Sequence, residues 1–380
     1  MNASDHDDDR GHSMSTTLYQ EGRPTISVSG EVGSRCPEEL LARYGDIVAG
    51  GRLNWTEYHN LGRRLGAGGQ GIVFLTTRRG SDGFTLPVAL KIFSPERYET
   101  EALYDEAMER IAQVSSRVAQ IQHDNLLDVQ NFVEQRRIRI MEMEWIDGYD
   151  LSRLLAPELL DRTRNSVSDD RWKYLNNVIV TAGPQQSRLK PGVAIAIVRE
   201  CLAALAALHR DGIVHGDIKT SNIMVKRTGN AKIIDIGSAL ALDDMPANRT
   251  CTPSYAAPEV LEGKENSPRS DLASLGYVLI EMLSGQPPFA GLQSYRDLLE
   301  AKRSLGQRLP QLLPADVTCN ELLMNFCRGM IAADPAKRFP SAEDADLLKG
   351  GAASFHRQLI VGGLASEYEN EIRAWLDELA

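Results

Sequence analysis

The sequence predicts an α+β protein in which a small antiparallel β-rich part precedes a larger, mainly helical part. Leu61 to Lys91 alternates short apolar segments with glycine turns at Gly66, Gly68, Gly71, Gly80 and Gly83, the pattern of antiparallel hairpins. Beyond Gly148, apolar residues recur at helical spacing. A polar loop, His215-Gly216-Asp217-Ile218-Lys219-Thr220-Ser221-Asn222, lies between the apolar runs Ile213-Val214 and Ile223-Met224-Val225.

Residues 1–55 read as a disordered or weakly ordered tail. Met1 to about Arg35 is rich in Ser, Thr, Gly, Asp and His and lacks periodicity, and Pro37 to Tyr44 reads as a short helix. Strands start at Thr56 to Leu61. Tyr98 to Ile121 is helical by period, and His123 to Val133 and Ile138 to Trp145 return to strand, so the first part covers 56–146. The second covers 147–350. Within it, Ala156 to Gly192 is polar and irregular and reads as an insertion around a short helix. Val193 to His209 is a buried helix by its apolar spacing. Helices follow at Ser270–Ser284, Ser294–Leu305, Asn320–Ala333 and Ala342–Leu348. Residues 351–380 form a helical extension, whose amphipathic segment Glu367 to Leu379 (Ile372, Trp375, Leu376, Leu379) is expected to pack back on the body.

Composition narrows the classes. Hydrophobic residues make up 42% and charged residues 25%, ordinary globular usage that permits a sizeable core. The formal net charge of -10 argues against nucleic acid as the main partner, because phosphate binding wants a basic face. Cys36, Cys201, Cys251, Cys319 and Cys327 form no C-x-x-C pair, which speaks for a reducing compartment without disulfides or zinc. The amino terminus lacks a signal pattern, and no apolar run reads as long enough to span a bilayer. The expectation is a soluble cytoplasmic protein with no membrane partner.

The polar loop carries the side chains that phosphoryl transfer asks for. A carboxylate (Asp217) orients the attacking hydroxyl, a cation (Lys219) steadies the moving phosphate, and an amide oxygen (Asn222) holds a metal. Gly66, Gly68 and Gly71 form G-x-G-x-x-G, in which backbone N–H groups approach phosphate without Cβ obstruction. A dinucleotide site needs a helix to start inside that motif; Ile72, Val73 and Phe74 follow it instead, so a hairpin fits better. Val88-Ala89-Leu90-Lys91 ends an apolar strand on a lysine.

The order of these motifs, continued by Asp235-Ile236-Gly237 and Ala257-Pro258-Glu259, resembles the protein kinase family over about Thr56 to Leu348. The resemblance implies a bilobal protein-kinase-like fold, with ATP in the cleft, Mg2+ as cofactor and protein as substrate. It implies that the backbone of Gly66 to Gly71 covers the phosphates, that Lys91 contacts the α- and β-phosphates, and that Asn222 and Asp235 hold magnesium. Leu65, Val73, Ala89 and Met224 would sandwich the adenine. Met143 would be the gatekeeper, and the backbones of Glu144 and Ile146 would bond the adenine edge. Asp150 stands where the family often contacts ribose; read from sequence alone, it serves equally as a helix N-cap ahead of Leu151. Glu259 is expected to pair with Arg338, and Asp271 to bond the catalytic-loop backbone. Thr252 is expected to bond Asp217 and Lys219.

The sequence also departs from the family. Gly216 replaces an arginine that normally meets a phosphate on the activation segment, which suggests activity without that phosphorylation. Ile236 replaces the commoner Phe, and Cys251 a more usual glycine; Cys251 reads as a small apolar filler. Ser238, Thr250 and Ser254 are candidate phosphorylation sites. Glu106 and Glu109 both lie on the helix that should supply a partner for Lys91, although the usual position falls on Val114; the expected partner is Glu109. Lys219, two residues after Asp217, fits Ser/Thr rather than Tyr specificity. The alternatives are a small-molecule phosphotransferase, which generally lacks both Lys219 and the Ala257-Pro258-Glu259 segment, and a pseudokinase scaffold. The compact activation segment resembles bacterial family members.

Overall fold

The alternation in the first part of the chain becomes a five-stranded antiparallel sheet. The computed structural model describes Asp46 and residues 59–246, 251–292, 294–361 and 368–379. Asp46 apart, the tail read at 1–55 lies outside the described residues, as do Thr56 and Thr250. Strands β1 (Arg64–Gly68), β2 (Gly71–Arg79), β3 (Thr85–Phe93), β4 (Val129–Gln135) and β5 (Ile138–Glu144) stand in the order β1-β2-β3-β5-β4. The register sets Ala89 opposite Leu75 and Met143, and Lys91 opposite Val73 and Met141.

Helix α1 (Glu101–Val118) packs Tyr104, Met108, Val114, Ser115 and Val118 inward, close to the i, i+4 spacing of one face. It starts later than its period suggests because Thr100 takes the cap, accepting the Leu103 N–H at 3.2 Å. Tyr104 ties it to the sheet, donating to Phe93 O at 3.4 Å and accepting the Arg139 N–H at 3.0 Å. The strand expected from His123 begins only at Val129. Leu127 instead donates its N–H to Ile233 O at 3.0 Å, in the second lobe.

The chain crosses through β6 (Gly148–Asp150) into the helical lobe. The insertion is more regular than its composition suggests. It holds α2 (Pro157–Ser166), α3 (Asp169–Val178) and a hairpin of β7 (Val180–Ala182) with β8 (Ser187–Leu189). Its polarity reflects helices with few buried residues: Leu160 and Thr163 in α2, Leu175 in α3.

Helix α4 (Pro191–Arg210) is the core of the lobe, with twelve buried residues. By length and composition it is apolar enough to cross a membrane, contrary to the sequence reading; the same property suits a helix surrounded by protein. Short strands β9 (Ile213–Val214), β10 (Ile223–Lys226), β11 (Ala231–Ile233) and β12 (Leu240–Ala241) follow. Then come α5 (Pro268–Ser284), α6 (Tyr295–Leu312), α7 (Glu321–Ile331), α8 (Ala352–Val361) and α9 (Tyr368–Glu378). Helix α5 opens on a capping box between Ser267 and Ser270 and is almost wholly buried. Helix α6 runs past the predicted end at Leu305, because its buried stripe Leu298, Lys302, Leu305 continues to Leu309.

The carboxy-terminal helix packs back. Ile372, Trp375 and Leu376 are buried, and Trp375 Nε1 donates to Thr163 Oγ1 at 3.3 Å. Arg171 Nε meets Glu378 Oε1 at 2.6 Å and the Tyr174 hydroxyl donates to Glu371 at 2.7 Å. The insertion and the last helix therefore support one another.

Candidate active site

The loop from His215 to Asn222 hangs between β9 and β10. Ile213, Val214, Ile218 and Ile223 are all fully buried, and they anchor a segment with little regular hydrogen bonding of its own. Asp271 on α5 supplies what the loop lacks. Its carboxylate accepts the His215 N–H at 2.8 Å and the Gly216 N–H at 2.9 Å, and lies 2.9 Å from His209 Nε2. Backbone donors buried in this way need such partners.

Gly216 has φ +75°, a region that side chains disfavour. A Cβ there would lie 2.9 Å from Ser238 O. The glycine thus has a local structural reason beyond the missing arginine.

The loop gathers four polar side chains. Asp217 Oδ1 accepts the Thr252 hydroxyl at 2.6 Å, and Asp217 Oδ2 pairs with Lys219 Nζ at 2.6 Å. Lys219 also donates to Thr252 Oγ1 at 3.1 Å. Asn222 Nδ2 donates to Asp217 O at 2.9 Å and to Oδ2 at 3.2 Å. Asn222 O in turn accepts the Ile234 N–H at 2.9 Å, which ties this loop to the segment carrying Asp235.

Asp235 adopts a left-handed backbone, φ +61°, and its side chain accepts the Gly237 N–H at 3.1 Å. Lys91 Nζ reaches its Oδ1 at 2.5 Å. Burial pushes the Asp235 carboxyl up, but the charge and hydrogen bond of Lys91 outweigh it and hold the group below its ordinary value. Ile236 fills the place beside it as a buried apolar plug.

A cleft of about 750 Å³ lies between the sheet and this loop. It is lined by Leu65, Gly66, Gly68, Gly71, Val73, Ala89, Lys91, Met143, Glu144, Ile146, Asp150, Asp217, Lys219, Asn222, Met224 and Asp235. The Glu144 side chain turns to Lys232 and accepts the Asp128 N–H at 2.7 Å. Asp150 caps the turn Leu151–Leu154, accepting the Arg153 N–H at 3.1 Å, so the capping role is realised at the rim of the cleft.

Glu109 does not join this site. It is exposed on α1, while Lys91 Nζ bonds Asp235 and, at 2.6 Å, Gln70 Oε1. Helical geometry explains the correction: the inward face of α1 is apolar, and the family position falls on buried Val114.

A model of the protein kinase domain matches residues 59–346. The chain belongs to the protein kinase family. It is 31% identical over 292 residues to the serine/threonine-protein kinase PknD of Mycobacterium tuberculosis, covering 75% of this chain and 38% of that protein. It is 26% identical to the probable serine/threonine-protein kinase PknB of Lactococcus lactis, covering 74% of this chain and 40% of that one. It is 32% identical over 183 residues to the serine/threonine-protein kinase PAK mbt of Drosophila melanogaster, covering 47% and 28%. The chain thus spans well under half the length of these relatives. The small antiparallel sheet and the helical lobe behind it are the bilobal kinase fold.

Around the kinase cleft stand residues that the sequence reading passed over. Gln70 is one. Lys302 is another, 1% exposed, with Nζ 4.1 Å from the Tyr277 ring centroid and 4.0 Å from that of Phe289. It donates to Ser254 O at 2.7 Å. Its signal was a lysine on the apolar stripe of a helix. Tyr255 donates to Glu281 Oε2 at 2.6 Å and lies 3.1 Å from Thr220 Oγ1, joining segment 251–259 to the loop. Burial, and then the Asp217 charge, push the Cys251 thiol up, so it is not an activated nucleophile. Glu259 and Arg338 form a buried bidentate pair at 2.6 and 2.8 Å.

Proposed function

We propose that this kinase domain is an ATP-dependent Ser/Thr protein kinase, transferring the γ-phosphate to protein hydroxyls. One observation carries the reading: Asp217 is held at both carboxylate oxygens, by Thr252 and Lys219, in one cleft with the Lys91–Asp235 pair.

The glycine loop supports a nucleotide beneath it. A Cβ on Gly66, Gly68 or Gly69 would meet no protein atom within 4 Å. The protein packing itself does not require glycine at these positions, whereas close approach of a phosphate to the backbone does. Leu65, Val73, Ala89 and Met224 supply the apolar slot for adenine, with Met143 behind it, and the backbones of Glu144 and Ile146 serve its polar edge.

The donors available for magnesium are the amide oxygen of Asn222 and the carboxylate of Asp235, hard oxygens of the kind that ion takes. Nucleotide phosphates and water would complete the shell of such an ion. When bound, magnesium offsets the charge of the triphosphate. Lys91 holds the α- and β-phosphates in place. Asp217 orients the attacking hydroxyl and takes up its proton, and Lys219 steadies the transferred group.

Protein rather than a small metabolite is the favoured acceptor. Segment 251–259 is pinned beside Asp217 through Thr252, Tyr255 and the Lys302–Ser254 bond, a fixed shelf suited to an extended peptide. The relatives PknD and PknB carry serine/threonine-protein kinase in their names. With Gly216 beside Asp217, no guanidinium is present there to receive an activation-segment phosphate, so activity is independent of that modification.

The test is label transfer from γ-labelled ATP to acceptor proteins, followed by phosphoamino-acid analysis. Label on serine or threonine that vanishes in Asp217→Ala supports the reading. Equal labelling by wild type and variant, or label confined to tyrosine, contradicts it.

A further inference from the structure

We propose that Gln70, at the tip of the glycine loop, is the positioning residue for Lys91, the task the family assigns to a glutamate on the helix behind the sheet. The inference rests on the kinase reading of the cleft. A buried ammonium needs acceptors, and Lys91 is 5% exposed. Asp235 Oδ1 at 2.5 Å and Gln70 Oε1 at 2.6 Å supply them.

Helix α1 supplies none of the bonds to Lys91. Glu106 is engaged with Arg110 at 2.6 Å, one turn along the helix. Glu109 is exposed, and Val114 has no charge to offer.

Gln70 is fixed at both ends of its amide. Its Nε2 donates to Ser238 Oγ at 2.8 Å, which turns Oε1 toward Lys91. Its backbone oxygen accepts the Ser94 N–H at 3.0 Å. The approach requires Gly237, where a Cβ would lie 2.3 Å from Gln70 Oε1 and 2.8 Å from Lys91 Nζ. One side chain therefore joins the glycine loop, the lysine strand and the segment after Asp235.

The experiment compares wild type with Gln70→Ala, Gln70→Glu and Glu109→Ala. It reads ADP affinity by calorimetry without metal, and kcat and KM for ATP. Gln70→Ala is expected to weaken ADP binding and to lower kcat, each by about tenfold, the scale of one hydrogen bond to a charged group. Gln70→Glu, which keeps an oxygen for Lys91, is expected to remain within about threefold of wild type on the same scale. Glu109→Ala is expected to change neither quantity. If Gln70→Ala binds ADP as tightly as wild type or more tightly with kcat unchanged, Gln70 merely competes with phosphate and the proposal is overturned. Loss of function in Glu109→Ala overturns it as well. Absence of turnover by wild type would instead remove the kinase reading, while the ADP titration still decides the role of Gln70.

Discussion

The Thr252 hydroxyl donates to Asp217 Oδ1 at 2.6 Å. This bond couples the segment that would carry an acceptor peptide to the carboxylate that would orient its hydroxyl. Lys219 closes the triangle, 2.6 Å from Asp217 and 3.1 Å from Thr252. Thr252→Ala is expected to lower kcat by about ten- to a hundredfold, the value of a hydrogen bond to a charged group. Thr252→Ser keeps the hydroxyl and should retain most of the rate. Steady-state kinetics with saturating ATP would decide, and equal rates for Ala and Ser would contradict the coupling.

Glu259 and Arg338 are the buried pair of the helical lobe, and Arg338 also donates to Arg269 O at 2.8 Å and Ala332 O at 2.7 Å. Removing one partner strands the other's charge. Arg338→Ala or Glu259→Ala is expected to cost about 3–5 kcal/mol in urea unfolding. Replacing both with apolar residues of similar volume should recover much of that loss.

Lys302 gives stability a pH dependence. Burial pushes its ammonium down to about 6, with Cys251 pulling weakly the other way. The folded value lies below the unfolded one. Between about 6 and the ordinary lysine range the unfolded chain therefore binds a proton that the folded chain lacks, and this contribution to stability rises with pH across the window. Lys302→Met removes it. The variant is expected to gain most in melting temperature near about pH 6 and progressively less toward about pH 9. A gain that does not change with pH would contradict the assignment.

Gly216 is fixed by local geometry, and it bears on the proposed independence from phosphorylation. Its φ of +75° and the close Ser238 O make Gly216→Arg costly, about 1–2 kcal/mol for the left-handed backbone alone. The variant should be less stable and gain no activity. Phosphatase treatment of wild type should leave its rate unchanged; loss of activity would contradict independence from phosphorylation.

Much of the site was legible because its chemistry is local. Asp217, Lys219 and Asn222 fall within a few residues, between apolar runs that announce their own burial. Asp235 and Lys91 carried signals through their neighbours. Glu109 failed because a helix face is set by what it packs on. Two acidic candidates, Glu106 and Glu109, did not show that the inward stripe is Tyr104, Met108 and Val114. Gln70 and Lys302 were missed for the same reason. A glutamine in a glycine turn and a lysine in an amphipathic helix look solvated until tertiary contacts place them on Lys91 and on two aromatic rings. The insertion looked irregular because α2 and α3 gain order from α9, about two hundred residues on, where Trp375 reaches Thr163.

Quantitative phosphoproteomics of cells carrying wild type against Asp217→Ala is the most direct test of the central claim. The account predicts serine and threonine phosphosites that appear with wild type and are lost in the variant at equal protein abundance. Indistinguishable phosphoproteomes, with both proteins folded and expressed, would contradict it.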